Sequence, residues 1–505
     1  MPQLHQPGTL FSTSLYAIAH HFEYLCYGIR DRKQMAQILE DDTYRTYPGP
    51  FTRCPSRVLE GALHALHTSP RVRHVQTRHL HMLLQPQLLQ LHLTFGSGDV
   101  HVALQLLHER CTALRVLNIS YLRNIEPNIL LSLTPNLTHL THLNLAHTEA
   151  DDTVLSGVGR HCPLLRDINV SCCPVSENAL RRLFWDSHHK VKTCGRVTRV
   201  NLTGCEVSPG GVRAGLLLQP ALQHVEHENN LLAFDVNHGY DWADELSYAI
   251  TSLTATGVLV TDVAMDTIVA VCPCLTSLTL SSCVVSQSTL LTISSLSQLT
   301  QLSITNTADE SVGFCESIVP LLCVRGSQLT SLLLATFTYV DLNVIGAACP
   351  NIENLALSNV AVFEPVALAT ASASGGKPFE RLQALEIWTE LRNSSCSAAV
   401  LRLLLLHCTA LRNLLLRGAD QLSHDQLMTI WLTSNPMQEL TRLTLDTCPN
   451  VTSSTLEFLL TQENKLNMLR VWNCFNIHKS HEINILSMIK TGNMDVYFEW
   501  YAWEG

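Results

Sequence analysis

Cysteine and histidine are the residues of this sequence with the most capacity for chemistry. There are 18 cysteines and 24 histidines in 505 residues. Thiols and imidazoles that converge in threes and fours bind zinc, and a thiol beside an imidazole makes a nucleophile. The candidates are Cys172-Cys173, Cys272-Pro-Cys274, and the histidines His64, His67, His74, His79 and His81. A metal site needs three or four ligands held in place by a further layer of hydrogen bonds. The histidines are scattered over a helix and a turn, so they read as a solvated face. The sequence has no GxxxxGK(S/T), HExxH or GxSxG pattern and no paired CxxC motifs. No catalytic, cofactor-binding or metal-binding residue is expected, and function should lie in binding.

The cysteine spacing points to something else. Cys162-Pro163, Cys272-Pro273 and Cys349-Pro350 each precede a segment of the form LxxLxL, as do Cys111 and Cys408. A second set, Cys172, Cys205, Cys283 and Cys448, follows such segments. Cysteines locked to a register read as small buried apolar residues, not as a disulfide framework.

The LxxLxL segment recurs throughout the chain. Leu114-Arg-Val-Leu-Asn-Ile119, Leu140-Thr-His-Leu-Asn-Leu145, Leu275-Thr-Ser-Leu-Thr-Leu280, Leu411-Arg-Asn-Leu-Leu-Leu416 and Leu440-Thr-Arg-Leu-Thr-Leu445 are copies. With the fourth residue as marker, about fifteen copies fall at Leu91, Leu117, Leu143, Ile168, Val200, Val225, Leu253, Leu278, Leu302, Leu332, Leu355, Leu385, Leu414, Leu443 and Trp472, in steps of 23 to 32 residues. Side chains alternate along a strand, so the last two leucines of each copy face a core and the residues between them face out. A polar turn and an apolar stretch with helical spacing follow, as in Leu130-Leu131-Ser-Leu133, Ala179-Leu180-Arg-Arg-Leu183 and Leu456-Glu-Phe-Leu459-Leu460. One such unit cannot bury its own apolar face, so it stacks on its neighbours. A period of this length in LxxLxL form signals the leucine-rich repeat. The expected fold is α/β: a right-handed horseshoe solenoid over residues 86–490, with a parallel sheet on the concave side and helices outside.

Composition agrees with a large core, at 46% hydrophobic and 15% charged residues. The formal net charge is −10, which argues against nucleic-acid binding through broad phosphate neutralisation. The apolar run Ala398 to Leu406 is broken by Arg402 and is too short to span a bilayer. The first residues show no basic segment followed by an apolar one, so no secretory signal is read and a reducing compartment, cytoplasm or nucleus, is expected. Asn-x-Ser/Thr sequons begin at Asn118, Asn136, Asn169, Asn201, Asn393 and Asn450. Three of them sit mid-strand, so the set reads as a by-product of the repeat.

Residues 1–85 do not fit the repeat and read as a helical module or cap. Ser14 to Ile29 has helical spacing with Ser14 as N-cap, Arg30 to Leu39 suggests a second helix, and Leu59 to Leu66 a third. Trp185 to Cys194 reads as a surface loop, Asp235 to Glu245 as an acidic, aromatic insertion, and Ala371 to Pro378 as a small-residue loop. Residues 491–505 read as a capping strand.

The repeats resemble those of ribonuclease-inhibitor-like proteins and, more closely, the cysteine-containing repeats of F-box/LRR proteins. His161-Cys-Pro-Leu-Leu-Arg-Asp-Ile-Asn-Val-Ser-Cys-Cys173, with Val175, Ser176 and Leu180 after it, matches that pattern nearly throughout. The F-box itself is not visible. Residues 14–66 resemble instead the elongin-and-cullin-binding box of Zyg-type receptors, with Ser14-Leu15 at its start and Cys54-Pro55-Ser56-Arg57-Val58 as its second part. Ala19 and Glu23 depart from that box, which has Cys and an apolar residue there. The resemblance implies an elongin/cullin or F-box-type adaptor held by Leu15, Pro55 and Val58. Two functions follow: the substrate-recognition subunit of a cullin-type ubiquitin ligase, or a scaffold or inhibitor with no ligase partner.

The exposed strand positions are those at −1, +1 and +3 from each marker. Through the Leu302 copy they are largely small or neutral, with Glu226 and Glu228 as exceptions. From Leu385 onward they read Glu386, Trp388, Leu415, Arg417, Arg442, Asp446 and Phe475. Binding energy concentrates in aromatic residues and arginine, so a protein client is expected here, with Trp388 and Arg417 as main anchors; the alternative is that Trp388 packs beneath the Asn393-Ser-Ser-Cys396 loop and Arg417 pairs with Glu386 or Asp446.

Overall fold

The computed structural model describes residues 9–27, 49–69, 75–93, 100–235, 247–307, 312–363, 378–389, 398–433 and 435–502. The LxxLxL segments form strands, and neighbouring strands pair in parallel with their markers side by side. Two such sheets form. The first has six strands, from Gln90–His92 to His224–Glu226, and aligns Leu91, Leu117, Leu143, Ile168, Val200 and Val225. The second has ten, from Ser252–Thr256 to Tyr497–Tyr501, and aligns Leu253, Leu278, Leu302, Leu332, Leu355, Leu385, Leu414, Leu443, Leu469 and Phe498. The degenerate Val225 copy is thus the last strand of the first sheet. The chain divides into two compact units, one around residues 7–233 and one around 251–505, so a unit boundary falls inside the span 86–490.

The register corrects the last marker. Leu443 pairs with Leu469, and Trp472 stands opposite Asp446, three residues further on. Met468-Leu-Arg-Val-Trp472 alternates over its whole length, so its period alone does not say which apolar residue is the marker. The pairing does.

Strands of the first sheet span three residues and those of the second span five. In four of the six strands of the first sheet the residue after the marker accounts for this. It is Asn118, Asn144, Asn169 or Asn201, and each side-chain Oδ1 accepts the backbone N–H two residues on, at 2.9–3.0 Å; the end strands carry His92 and Glu226 there. An asparagine that hydrogen-bonds its own downstream backbone turns the chain and ends the strand. In the second sheet the same position holds Thr254, Thr279, Ser303, Leu333 or Ala356, and the ladder runs on to the third residue past the marker.

Past the strand the chain turns with a left-handed residue at marker +4. Tyr121, His147, Cys172, Gly204, Gly257, Ser282, Thr336, Asn359, Gly418, Thr447 and Asn473 all have φ between 51° and 71° there. The turn reverses the chain while its N–H still reaches the next repeat. Tyr121 donates to the Ala146 carbonyl at 2.8 Å, Asn359 to Trp388 at 2.7 Å and Asn473 to Tyr501 at 2.8 Å. Glycine adopts this conformation without cost, and other residues take it at about 1–2 kcal/mol. At Gly418 no side chain fits, because a Cβ would lie 2.3 Å from Thr389 Oγ1.

The helices start on caps. Asp151, Ser208, Thr261, Ser286 and Asp341 each accept N–H groups of the first turn. Repeats are also tied through these caps: Ser176 Oγ donates to Asp152 at 2.5 Å and Ser286 Oγ to Asp262 at 2.6 Å. Marker residues and their partners two positions on, such as Leu385 and Ile387, are buried on every strand but the last, where Phe498 and Trp500 are half-buried. Each such leucine or isoleucine contributes about 1.5–3 kcal/mol by leaving water.

The cysteines form two rows. Cys111, Cys162, Cys272, Cys349 and Cys408 lie six residues before their markers and are at most 1% exposed. Burial pushes each of these thiols up to about 12. The second row is Cys173, Cys205, Cys283, Cys448 and Cys474. Four of these thiols donate to a backbone carbonyl of the preceding repeat: Cys173 to Leu145, Cys205 to Val170, Cys448 to Leu416 and Cys474 to Leu445, at 3.0–3.7 Å. Cys172, expected in this row, is instead the exposed left-handed turn residue. The described cysteines are all free thiols.

In the N-terminal segment, Thr9 caps a helix Leu10–His20, and Phe22–Tyr27 forms a second helix. Ser14, expected as the cap, lies inside the first helix with its hydroxyl on the Leu10 carbonyl at 2.7 Å. Ser56–Thr68 follows, and the Ser56 hydroxyl accepts the Leu89 N–H at 2.8 Å, tying this helix to the first repeat. His79 and His81 are buried rather than solvated: His79 Nε2 lies 3.0 Å from Glu23 Oε1, and His81 Nε2 lies 2.9 Å from Arg110 Nη2. Residues 28–48, where the Arg30–Leu39 helix was expected, and 371–377 of the small-residue loop lie outside the described residues. Most of the acidic insertion does too.

Candidate functional site

The outward face of the second sheet is read column by column across paired strands. At marker +3 the sequence of side chains is Thr256, Ser281, Thr305, Ala335, Ser358, Trp388, Arg417, Asp446, Trp472 and Tyr501. At +1 the last five are Glu386, Leu415, Thr444, Arg470 and Glu499, and at −1 they are Ala384, Asn413, Arg442, Met468 and Tyr497. Small side chains thus give way to aromatics and arginines at the Leu385 strand.

The patch is internally organised. Trp388 is 38% exposed, Tyr497 58% and Tyr501 52%, and Glu386 and Arg442 are exposed. The Arg417 guanidinium lies 5.7 Å from the centre of the Trp388 ring and its Nε lies 3.4 Å from Asp446 Oδ2. One strand pair further, Arg470 repeats the arrangement, 5.6 Å from the Trp472 ring and with its Nε 3.0 Å from Glu499 Oε2. Each arginine is therefore held over an aromatic face with its fork spread by a carboxylate. A guanidinium positioned this way loses little freedom when a partner docks on it.

Two expected residues are placed differently. Asp446 is only 9% exposed and faces inward contacts: Asn473 Nδ2 donates to its Oδ1 at 3.1 Å and Thr447 Oγ1 at 2.9 Å, besides Arg417. Its pair with Arg417 is the one that the alternative reading expected, and the 393–396 loop of that reading lies outside the described residues. Phe475 is 72% exposed but lies in the turn after the strand, because the misplaced last marker moved it three residues along. The same slip hid Arg470 and Trp472, and the reading of residues 491–505 as a capping strand hid Tyr497 and Tyr501. Their signal in the sequence is the alternation of Met468–Trp472 and Tyr497–Tyr501, read with the right marker. The first sheet's face is also less neutral than expected, since His142, Asp167, Arg199 and His224 occupy its −1 column.

In the N-terminal helices, Leu15 is turned inward and packs against Gly61, where a Cβ would lie 2.4 Å from its Cδ1. It is a core contact between two helices, not an outward anchor. Pro55 is exposed and Val58 half-buried at the start of the Ser56–Thr68 helix. The large apolar residues that do face outward here are Leu10 at 85%, Tyr24 at 67%, Tyr16 at 54%, Leu25 at 40% and Phe11 at 39%.

Among the described residues no group of three or more His, Cys, Asp or Glu side chains is placed to hold a metal ion. No helix among them is long and apolar enough to cross a membrane.

Neither a protein family nor a curated protein matches the sequence. Solved structures do. One is the complex of Rad7 and Elc1 in yeast, at TM-score 0.45 and 16% identity, covering 94% of this chain and 96% of that one. Another is the TLR13–ssRNA13 complex, at TM-score 0.40 and 14% identity, covering 79% of this chain and 60% of that one. The fold is of leucine-rich-repeat type. That statement stands on the parallel ladders and the period described above, and it specifies no activity.

Proposed function

We propose that this chain is a binding protein rather than an enzyme, and that it presents a protein client to a cullin-type ubiquitin ligase as its substrate-recognition subunit. The observation that carries the client site is the face of the last five strands. Trp388, Trp472, Tyr497 and Tyr501 stand among Arg417, Arg442 and Arg470 on one side of the sheet. Exposed aromatics beside braced arginines supply the anchors that small side chains on the preceding strands lack. The client takes an extended or helical segment across Trp388 and Arg417, with its carboxylates on the arginine forks.

The ligase half of the reading rests on the likeness of residues 14–66 to an elongin-and-cullin-binding box, with the outward residues as contacts. Pro55 and Val58 keep that role; Leu15 passes it to Leu10, Tyr16 and Tyr24. The buried thiols support a reducing compartment, cytoplasm or nucleus. The test is co-precipitation of elongin and cullin with the wild-type chain and with Tyr16→Ala/Pro55→Ala. Retention by the wild type and loss by the variant are expected. If the wild type retains neither, the helices only cap the repeats and the chain is a scaffold.

A further inference from the structure

The charge of this protein is unevenly spread. In a chain with net charge −10, residues 160–199 hold eight Lys and Arg against three Asp and Glu. All eight cations are exposed. Two of the three carboxylates are committed. Asp186 is buried beneath the patch, and Glu177 accepts Ser208 N–H and Oγ at 2.8 and 2.7 Å.

Lys190 and Lys192 are carried on a built support, with Arg160 and Arg182 beside it. The segment expected as a loop is a β-hairpin, Trp185–Asp186 antiparallel to Val191–Lys192, with Lys190 in the left-handed conformation at its turn. Asp186 organises it from inside, accepting the N–H of His188 at 2.9 Å, His189 Nδ1 at 2.6 Å and Arg160 Nε at 3.2 Å. The Cys194 thiol fastens the far end on the carbonyls of Val158, Gly159 and Cys162 at 3.3–3.6 Å. Helix Asp152–His161 approaches the hairpin base so closely that a Cβ at Gly159 would lie 2.4 Å from the Leu183 carbonyl. Beside this support lies a groove of about 530 Å³. Arg160 and Arg182 form its cationic side, and His161, Leu131, Pro135 and the hydroxyls of Ser132, Thr153 and Ser156 also line it. Asp152 also lines it but is held by the Ser176 N–H and hydroxyl at 2.9 and 2.5 Å.

We propose that this basic hairpin and groove dock an acidic segment of a protein partner. Guanidinium forks take carboxylates two bonds at a time, and the groove offers an apolar wall and hydroxyls that suit peptide side chains. A nucleic-acid backbone fits less well, because it meets phosphate contacts over a long footprint and is repelled by the net negative charge of the rest of the chain. The surface belongs to the other compact unit from the Trp388 face and does not depend on the client reading.

The test is fluorescence anisotropy of labelled decaglutamate with the full chain at low and at physiological salt. Saturable binding is expected, weakening about tenfold or more between the two salts. Arg181→Glu/Arg182→Glu/Lys190→Glu should lose about tenfold or more. Arg182→Gln/Lys190→Gln, checked to fold by circular dichroism, should lose about threefold and covers the case of a misfolded charge reversal. Ser281→Ala, on the other compact unit and outside both proposed sites, should bind the peptide as the wild type does. Absence of binding, or equal affinity in both hairpin variants, overturns the proposal. So does tighter binding of a ten-nucleotide single strand at the same residues.

Discussion

Cys162 and Cys408 illustrate how position, not type, sets the chemistry of a residue. Their thiols lie at 0% exposure and burial holds them protonated up to about 12, so they are inert at neutral pH. A maleimide reagent on the native protein should label Cys172, Cys274, Cys315 and Cys323, which are exposed, and spare Cys111, Cys162, Cys272, Cys349 and Cys408. Mass spectrometry of the labelled peptides reads the outcome, and rapid labelling of Cys162 would contradict the assigned row. Cys162→Ser places a more polar hydroxyl in that apolar site and should cost about 1–3 kcal/mol in denaturant unfolding. The turn residues make a second prediction. Thr447 is β-branched at φ 51°, so Thr447→Gly relieves strain and should be neutral or stabilising, while Gly418→Ala meets Thr389 and should destabilise by about 1–3 kcal/mol. Opposite signs at the same register position are the check.

At the scale of the element, one asparagine ends each of four strands of the first sheet and one carboxylate organises a hairpin. Asn144→Ala removes the acceptor of the Ala146 N–H and should cost about 1 kcal/mol without disturbing the neighbouring strands. Such asparagines were visible in the sequence, but a mid-strand asparagine reads as an exposed neutral residue until its hydrogen bond is seen. The hairpin was read as a loop for a related reason: two-residue strands are too short to show a period, and the buried Asp186 that holds them looks like any loop aspartate. The hydrogen bond from His189, the two backbone N–H groups and Arg160 hold the Asp186 carboxyl well below the usual carboxylate range. A depressed folded value means that its stabilisation is complete above the ordinary aspartate range and is lost as pH falls through and below it. Asp186→Asn should therefore lower the hydrogen-exchange protection factors of the His188 and His189 amides at neutral pH, and acidification through and below the ordinary aspartate range should lower them in the wild type. Equal protection in both proteins would show that the hairpin stands without Asp186.

For the whole molecule, the fold was legible because one pattern was repeated many times. The paired markers from Leu91 to Val225 and from Leu253 to Leu443 are the residues that the LxxLxL count picks out. Legibility failed where a copy alternated too well, at Met468–Trp472, and that slip moved the candidate site from Trp472 to Phe475. It failed again at Leu15, since an apolar residue in a short helix gives no sign of which way it points. The patch itself was half visible: Glu386, Trp388, Leu415, Arg417 and Arg442 came from sequence, and Arg470, Trp472, Tyr497 and Tyr501 from the pairing. The central claim is that this face holds the client. The most direct measurement is quantitative affinity capture from cell extract with the wild-type chain, Trp388→Ala/Arg470→Ala and Ser281→Ala, followed by affinity measurement on the captured client. The account predicts that the double variant folds, loses the client and binds it more weakly by about 2 kcal/mol or more, while Ser281→Ala behaves as wild type. Unchanged client affinity in a folded Trp388→Ala/Arg470→Ala variant would contradict it.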